Sequence, residues 1–262
     1  DSQNIRTIGL PCCSSRGSGS IPAMSFPKDF TWGAATSSYQ IEGHSAGDGC
    51  GASVWDEFCA TPGRVHGGHT GAVSCDHYHH YAADVQMMRT LGLGAYRFSV
   101  AWPRVLPTGR GKVNATGLAF YDRLVDALLE ARIEPWLTLF HWDYPLALYR
   151  EGGWLHPDSP RWFEDYTRVI VDKLSDRVRH WMTLNEPQCF IGLGHQTGIH
   201  APGDKLPLDR TLLAAHHTLL AHGLAVQTIR NRAKLPPIIG WAPTGDVPTP
   251  ATETTGMISA SR

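Results

Sequence analysis

Five short apolar runs recur along this chain with an amphipathic stretch between each pair, and this alternation restricts the fold more than any other feature. The runs are Phe30–Thr36, Ala95–Ala101, Pro135–Phe140, Trp181–Leu184 and Ile238–Ala242. The stretches between them predict helices over Tyr81–Leu91, Gly117–Ala131, Ser159–Leu174 and Asp209–Ala233. Gly92 ends the first, and Leu118, Tyr121, Leu124, Val125, Leu128 and Leu129 share one face of the second. The third opens at Ser159-Pro160, read as an N-cap followed by Pro at the first helical position. Strands that alternate with helices form a parallel sheet with right-handed crossovers. Nearly continuous apolar strands imply that both faces are covered.

The polar residues that interrupt this pattern fall at the strand C-termini. They are Gln40, His141, Asn185 and Glu186, with Arg97 a little inside its strand. A (β/α)8 TIM barrel places its active site at that end. No Gly-x-Gly-x-x-Gly follows the first run and no P-loop is present, which argues against dinucleotide or nucleotide phosphate binding. The expected class is therefore α/β, a (β/α)8 TIM barrel of which this chain supplies about the first five β/α units. Residues 243–262 are rich in Thr, Pro and Ser and hold no further strand–helix pair. On that count, strands one and five are expected to be open parallel edges, which need a closing partner or limit solubility.

One heptad concentrates the chemistry: Trp181-Met-Thr-Leu-Asn-Glu-Pro187. Proline stops the strand because it cannot donate to a ladder. A carboxylate at the end of an apolar strand is expected to be partly desolvated, which raises its pKa and suits it to general-acid work.

Composition narrows the alternatives. The 262 residues carry 23 basic and 24 acidic side chains, a net charge of −1, so nothing attracts nucleic acid or an anionic membrane surface. No apolar run approaches the length of a spanning helix. The nine Trp and eight Tyr suit sugar stacking and core filling equally. Six cysteines without a CxxC pair read as reduced thiols and a cytoplasmic setting. Asn114 in Asn114-Ala115-Thr116 is read as a helix N-cap rather than a glycosylation site. His77, His79, His80, His216 and His217 are read as packing and hydrogen-bonding residues, not metal ligands, because adjacent helical positions face different ways. Residues 1–24, with Cys12-Cys13-Ser14-Ser15-Arg16-Gly17-Ser18-Gly19-Ser20, are expected to be a flexible tail without the apolar core of a secretion signal. The folded domain is expected over 25–252 and a disordered end over 253–262.

The motifs, taken in order, resemble glycoside hydrolase family 1, the β-glucosidase family. They are Phe30–Thr36 through Tyr39-Gln40-Ile41-Glu42-Gly43, Cys75–His79, Tyr96–Arg104, Thr138–Asp143, Gly152–Leu155, Thr183–Pro187 and His200–Gly203. The resemblance covers about residues 25–252. It implies a TIM barrel that hydrolyses β-glycosides with retention, without metal or other cofactor, on a small-molecule substrate. It also implies roles. Glu186 is the general acid/base, and Asn185 holds the sugar 2-hydroxyl, a contact that strengthens in the oxocarbenium-like transition state. Gln40 and His141 bind hydroxyls of the non-reducing sugar, Trp142 belongs to the pocket rim, and Arg97 supports the nucleophile from the barrel floor.

The departures concern the second carboxylate. The family's nucleophile lies in a Thr-Glu-Asn-Gly motif, which this sequence lacks; Thr252-Glu253-Thr254-Thr255-Gly256 is the nearest string, and no apolar strand precedes it. The chain alone is therefore expected to be inactive, and Arg97 to lack its anionic partner and stand unpaired or hydrated. Ala72, His80 and Leu146 also depart from the family's usual Asp, Arg and Gln. Two further readings stand beside hydrolysis of β-glucosides: a non-catalytic sugar-binding or interaction protein derived from the hydrolase, and a 6-phospho-β-glycosidase.

Overall fold

A computed structural model of the chain describes residues 26–245. The expectations for the 1–24 tail, the 253–262 end and Glu253 lie outside these residues. Residues 26–30 belong to a short N-terminal unit, in which the Phe30 N–H donates to Pro27 O at 3.0 Å and the rings of Phe26 and Phe30 lie 4.5 Å apart. The second unit begins at Thr31 and contains the sheet.

The sheet has five parallel strands in the order of the sequence: β1 Gly33–Ala35, β2 Ala95–Ser99, β3 Glu134–Phe140, β4 His180–Asn185 and β5 Ile238–Ala242. Four long helices make the crossovers: α1 His77–Thr90, α2 Ala115–Glu130, α3 Ser159–Leu174 and α4 Leu208–Arg232. A parallel sheet whose neighbours in sequence are neighbours in space, each joined through a helix, is the arrangement from which a TIM barrel is built. Among the described residues β1 and β5 each have one neighbouring strand.

Most predicted boundaries move by a residue or two, α1 starts four residues early at His77, and three shifts have a local cause. The first strand shrinks from Phe30–Thr36 to three residues, all exposed, because only Gly33–Ala35 pair with β2. The second strand ends at Ser99, since Ala101 caps a helical turn, Trp102–Val105. Helix α3 begins with Ser159 as its first helical residue, so the capping position falls to Asp158 and Pro160 moves one place in. Asn114 does sit at the N-cap of α2, but its side chain caps nothing. Its amide nitrogen donates instead to the carbonyls of Asp48, at 2.8 Å, and Arg104, at 3.0 Å.

The core lies between sheet and helices and is strongly aromatic. Trp102 stacks on Tyr166 with ring centroids 4.9 Å apart, and the Tyr166 hydroxyl lies 3.0 Å from the carbonyl oxygens of both Val100 and Leu139. Tyr166 therefore bolts α3 to the ends of β2 and β3 while its ring fills the layer between. Each such fully buried large side chain contributes about 1.5–3 kcal/mol of burial free energy. The expectation of covered strand faces holds for β2, most of β3 and β4. It fails for β1, exposed throughout, and for β5, where Ile238 is 54% and Trp241 40% exposed.

Candidate active site

Glu186 follows β4 directly and has a left-handed backbone, φ 49°, ψ 58°. Non-glycine residues rarely adopt this conformation, which concentrates at functional sites. Two constraints hold it there. The Glu186 N–H donates to Ala242 O of β5 at 2.7 Å, and Pro187 begins a short helical turn. The pairing of β4 with β5 also slips between Met182 and Asn185. Such an irregularity re-aims the side chains that follow, here the Asn185-Glu186 pair.

Asn185 is buried at the end of β4 and gathers two other predicted residues. Its Oδ1 accepts a hydrogen bond from the Arg97 guanidinium, and its backbone carbonyl accepts one from Trp142 Nε1 at 3.1 Å. Arg97 projects from β2 and also donates through Nε to Thr138 Oγ1 at 2.9 Å. As expected, no carboxylate lies within ion-pair distance of Arg97 among the described residues; instead of being left bare, its guanidinium is held by neutral polar groups of β3 and β4. Partial burial pulls its pKa down, and the charge of Glu186 opposes that shift.

His141 and Trp142 follow β3. Trp142 has a left-handed backbone, φ 74°. Burial pushes the His141 imidazole down to about 3, and the Arg97 charge adds to the effect. His141 is therefore neutral at any ordinary pH. Its Nδ1 is buried without a protein partner among the described residues. Gln40 lies on a helical turn, Ser38–Ile41, with an exposed side chain and a backbone carbonyl that accepts from Ser74 Oγ.

Gln40, His141, Trp142 and Glu186 line one cavity of about 490 Å³. Asn185 and Arg97 lie outside that lining and brace it through Trp142 and Asn185 respectively. Among the lining residues without an assigned role from sequence are Trp55 and His200. Trp55 stacks on Trp142, centroids 6.2 Å apart and planes within 10°, and His200 sits 5.9 and 5.8 Å from the two indoles. The available signal for Trp55 was local: Ser53-Val-Trp-Asp56 is a capping box that starts the helix Val54–Ala60 and fixes where Trp55 points. Glu186 is the one carboxylate among the described lining residues.

A cleft with a strand-end Glu, a neutral His, amides and indoles is suited to hold a polyhydroxylated ring and to move one proton. The sequence model of glycosyl hydrolase family 1 matches residues 23–261. The chain belongs to that family. This family member is similar to the 1,4-beta-D-glucan glucohydrolase of Thermotoga neapolitana, 47% identical over 209 residues, which are 80% of this chain and 49% of that one. It is 50% identical to beta-glucosidase A of Acetivibrio thermocellus over 208 residues, 79% of this chain and 46% of the relative. Its structure is similar to that of a family 1 β-glucosidase from Thermotoga maritima, with a TM-score of 0.84 and 45% identity over 90% of this chain and 53% of the other. It resembles the same organism's β-glucosidase in complex with castanospermine at a TM-score of 0.83 and 46% identity, over 87% and 51% of the two chains. The chain thus spans about half the length of the curated relatives it matches.

Proposed function

We propose that this family 1 chain carries the acid/base wall of a retaining β-glucosidase. The observation that carries the reading is the shared cavity: Glu186 opens into the same 490 Å³ space as Gln40, His141 and Trp142. In this reading Glu186 protonates the glycosidic oxygen as the bond breaks and later takes the proton from the attacking water. Asn185 presents its amide nitrogen to the sugar 2-hydroxyl, because Arg97 already occupies its Oδ1. His141, kept neutral, exchanges hydrogen bonds with a hydroxyl without bringing a charge into the site. Gln40 binds a further hydroxyl, and Trp142, backed by Trp55, offers an apolar face to the ring.

Retention needs a second carboxylate about 5–5.5 Å from the first. Glu186 stands alone in the described lining, so the nucleophile is assigned to residues outside it. Formate can stand in for such a carboxylate, giving a glucosyl formate that water then hydrolyses. The 262-residue chain is expected to bind deoxynojirimycin saturably and to release glucose from cellobiose only when formate is added. Glu186→Gln should lower that release at least 100-fold, the smallest effect usual for a general acid acting on a poor leaving group. Glucose release that ignores the substitution, or no saturable binding, would refute the reading. Binding without release at any formate concentration would move the chain to the sugar-binding alternative, and a preference for 6-phosphocellobiose to the 6-phospho-β-glycosidase one.

A further inference from the structure

Beneath the cleft lies a second polar cluster that the sugar chemistry does not use. The turn that bears Gln40 is held on both sides by buried groups. Two residues before Gln40, the Ser38 hydroxyl donates to Asp143 Oδ2 at 2.7 Å, and the Ser38 N–H donates to Ser99 Oγ at 2.7 Å. Two residues after it, Glu42 accepts from Arg104 Nε at 2.9 Å and from the Tyr121 hydroxyl at 2.8 Å. Arg104 also donates to Gly43 O at 3.0 Å. Asp143 and Arg104 are each 2% exposed.

Each of these two ionisable side chains carries one buried atom, Asp143 Oδ1 and Arg104 Nη1, without a partner among the described residues. Both residues line the same cavity of about 20 Å³, together with Ser38, Glu42 and Cys50. Buried polar atoms are nearly always satisfied by protein or ordered water. A space of that size holds one water, provided polar partners surround it. Here a carboxylate oxygen and a guanidinium N–H supply an acceptor and a donor.

We infer that Asp143 is a positioning residue for the sugar cleft: with Ser38, Arg104 and one ordered water in the cavity they line, it fixes the Gln40 turn against the His141–Trp142 segment. Asp143 is the residue that directly follows Trp142, so the Ser38–Asp143 bond joins two walls of the cleft at their bases. This inference rests on the reading of that cleft as a sugar site. A misplacement of about 1 Å in a binding group costs up to roughly 100-fold in such sites.

The test uses the whole 262-residue chain. Deoxynojirimycin affinity is measured by calorimetry for the wild type, Asp143→Ala, Asp143→Asn and Ser38→Ala. Loss of about tenfold or more in Asp143→Ala, with recovery by the isosteric Asp143→Asn to within about threefold, is the expected result. Equal affinity of Asp143→Ala and wild type would overturn the inference, as would failure of Asp143→Asn to recover. Should Asp143→Ala fail to fold, Ser38→Ala removes only the hydroxyl of the same bond and is expected to weaken binding in the same direction; unchanged affinity there overturns the inference too. Crystal structures of wild type and Ser38→Ala separate this question from the function itself. A water within hydrogen-bond reach of Asp143 and Arg104, and a Gln40 turn displaced in the variant, support the inference even if no sugar analogue binds. A dry cavity or an unmoved turn refutes it.

Discussion

Replacing Glu42 by Leu should be among the most damaging single changes in the chain. Glu42 is 4% exposed and takes the Nε of Arg104 at 2.9 Å and the hydroxyl of Tyr121 at 2.8 Å. Burial alone would lower the Arg104 pKa; the charge and hydrogen bond of Glu42, together with Tyr121 and Cys50, outweigh it and keep the pKa raised. Without Glu42, Arg104 retains one protein acceptor, the Gly43 carbonyl, and a guanidinium charge stays buried. Tyr121 keeps the N–H it accepts from Ala101 but loses its own acceptor. Removing one member of a buried ion pair costs about 3–5 kcal/mol. With a urea dependence near 2.5 kcal/mol per molar for a chain of this size, the unfolding midpoint should fall by about 1.5 M. Equilibrium urea denaturation followed by tryptophan fluorescence reads this directly. The double variant Glu42→Leu/Arg104→Met removes both charges and their desolvation, and should regain most of the loss. A single-variant shift below about 0.3 M, or a double variant as unstable as the two singles combined, would refute the claim that Arg104 is buried and held chiefly by Glu42.

Two further outcomes follow from the same region. Burial pushes the Asp143 carboxyl up to about 7, with the Glu42 charge adding and the Ser38 hydroxyl bond and the backbone of Asp143 and His141 opposing. The folded state therefore binds the extra proton, and the stability this gives is full below about pH 4 and lost as pH rises through 7. His141, pushed down to about 3, acts oppositely: the unfolded chain takes up a proton below about 6.5, so stability falls as pH drops from there towards 3. The two should partly cancel, and urea midpoints measured from pH 4 to 7 should rise with pH in Asp143→Asn and fall with pH in His141→Asn, relative to wild type; parallel profiles would contradict both assignments. Separately, a Cβ at Gly51 would lie 1.9 Å from Pro107 O, a backbone atom. Gly51→Ala should cost about 2 kcal/mol and lower the thermal midpoint by about 4–8 °C in a calorimetric scan.

Much of this architecture was legible because a parallel sheet writes itself plainly. β5 lies where its apolar run predicts, and β3 and β4 each extend one residue or so beyond theirs. β1 was overread, since Phe30–Thr36 is largely apolar but only three residues find a partner strand. Apolar character marks what can pair and does not count the partners available. The short turns Ser38–Ile41, Trp102–Val105 and Pro187–Cys189 were invisible, being too brief to show a period of 3.6. In the site, Gln40, His141, Trp142 and Glu186 converge on one cavity as their strand-end positions suggest. Trp55, His200 and the Glu42–Arg104 pair escaped assignment. The pair's members lie 62 residues apart, and nothing local in the sequence signals a contact closed by tertiary packing. At Arg97 the missing anion was legible and its replacement was not. A cation in an apolar strand demands an anion by simple electrostatics, yet here a hydroxyl and an amide oxygen meet it instead.

The backbone bond from Glu186 N–H to Ala242 O ties the proposed acid to a poorly covered edge of the sheet. Local opening of a protein begins where few apolar contacts protect the backbone hydrogen bonds. Amide hydrogens of β2, β3 and the body of β4 should then exchange slowly, while those of β5 and Glu186 exchange early and together. Each excursion of β5 also releases the left-handed residue from its restraint, so the geometry of the acid lasts only as long as its neighbour strand stays seated. Any contact that quiets β5, wherever it comes from, will sharpen the aim of Glu186 without touching it.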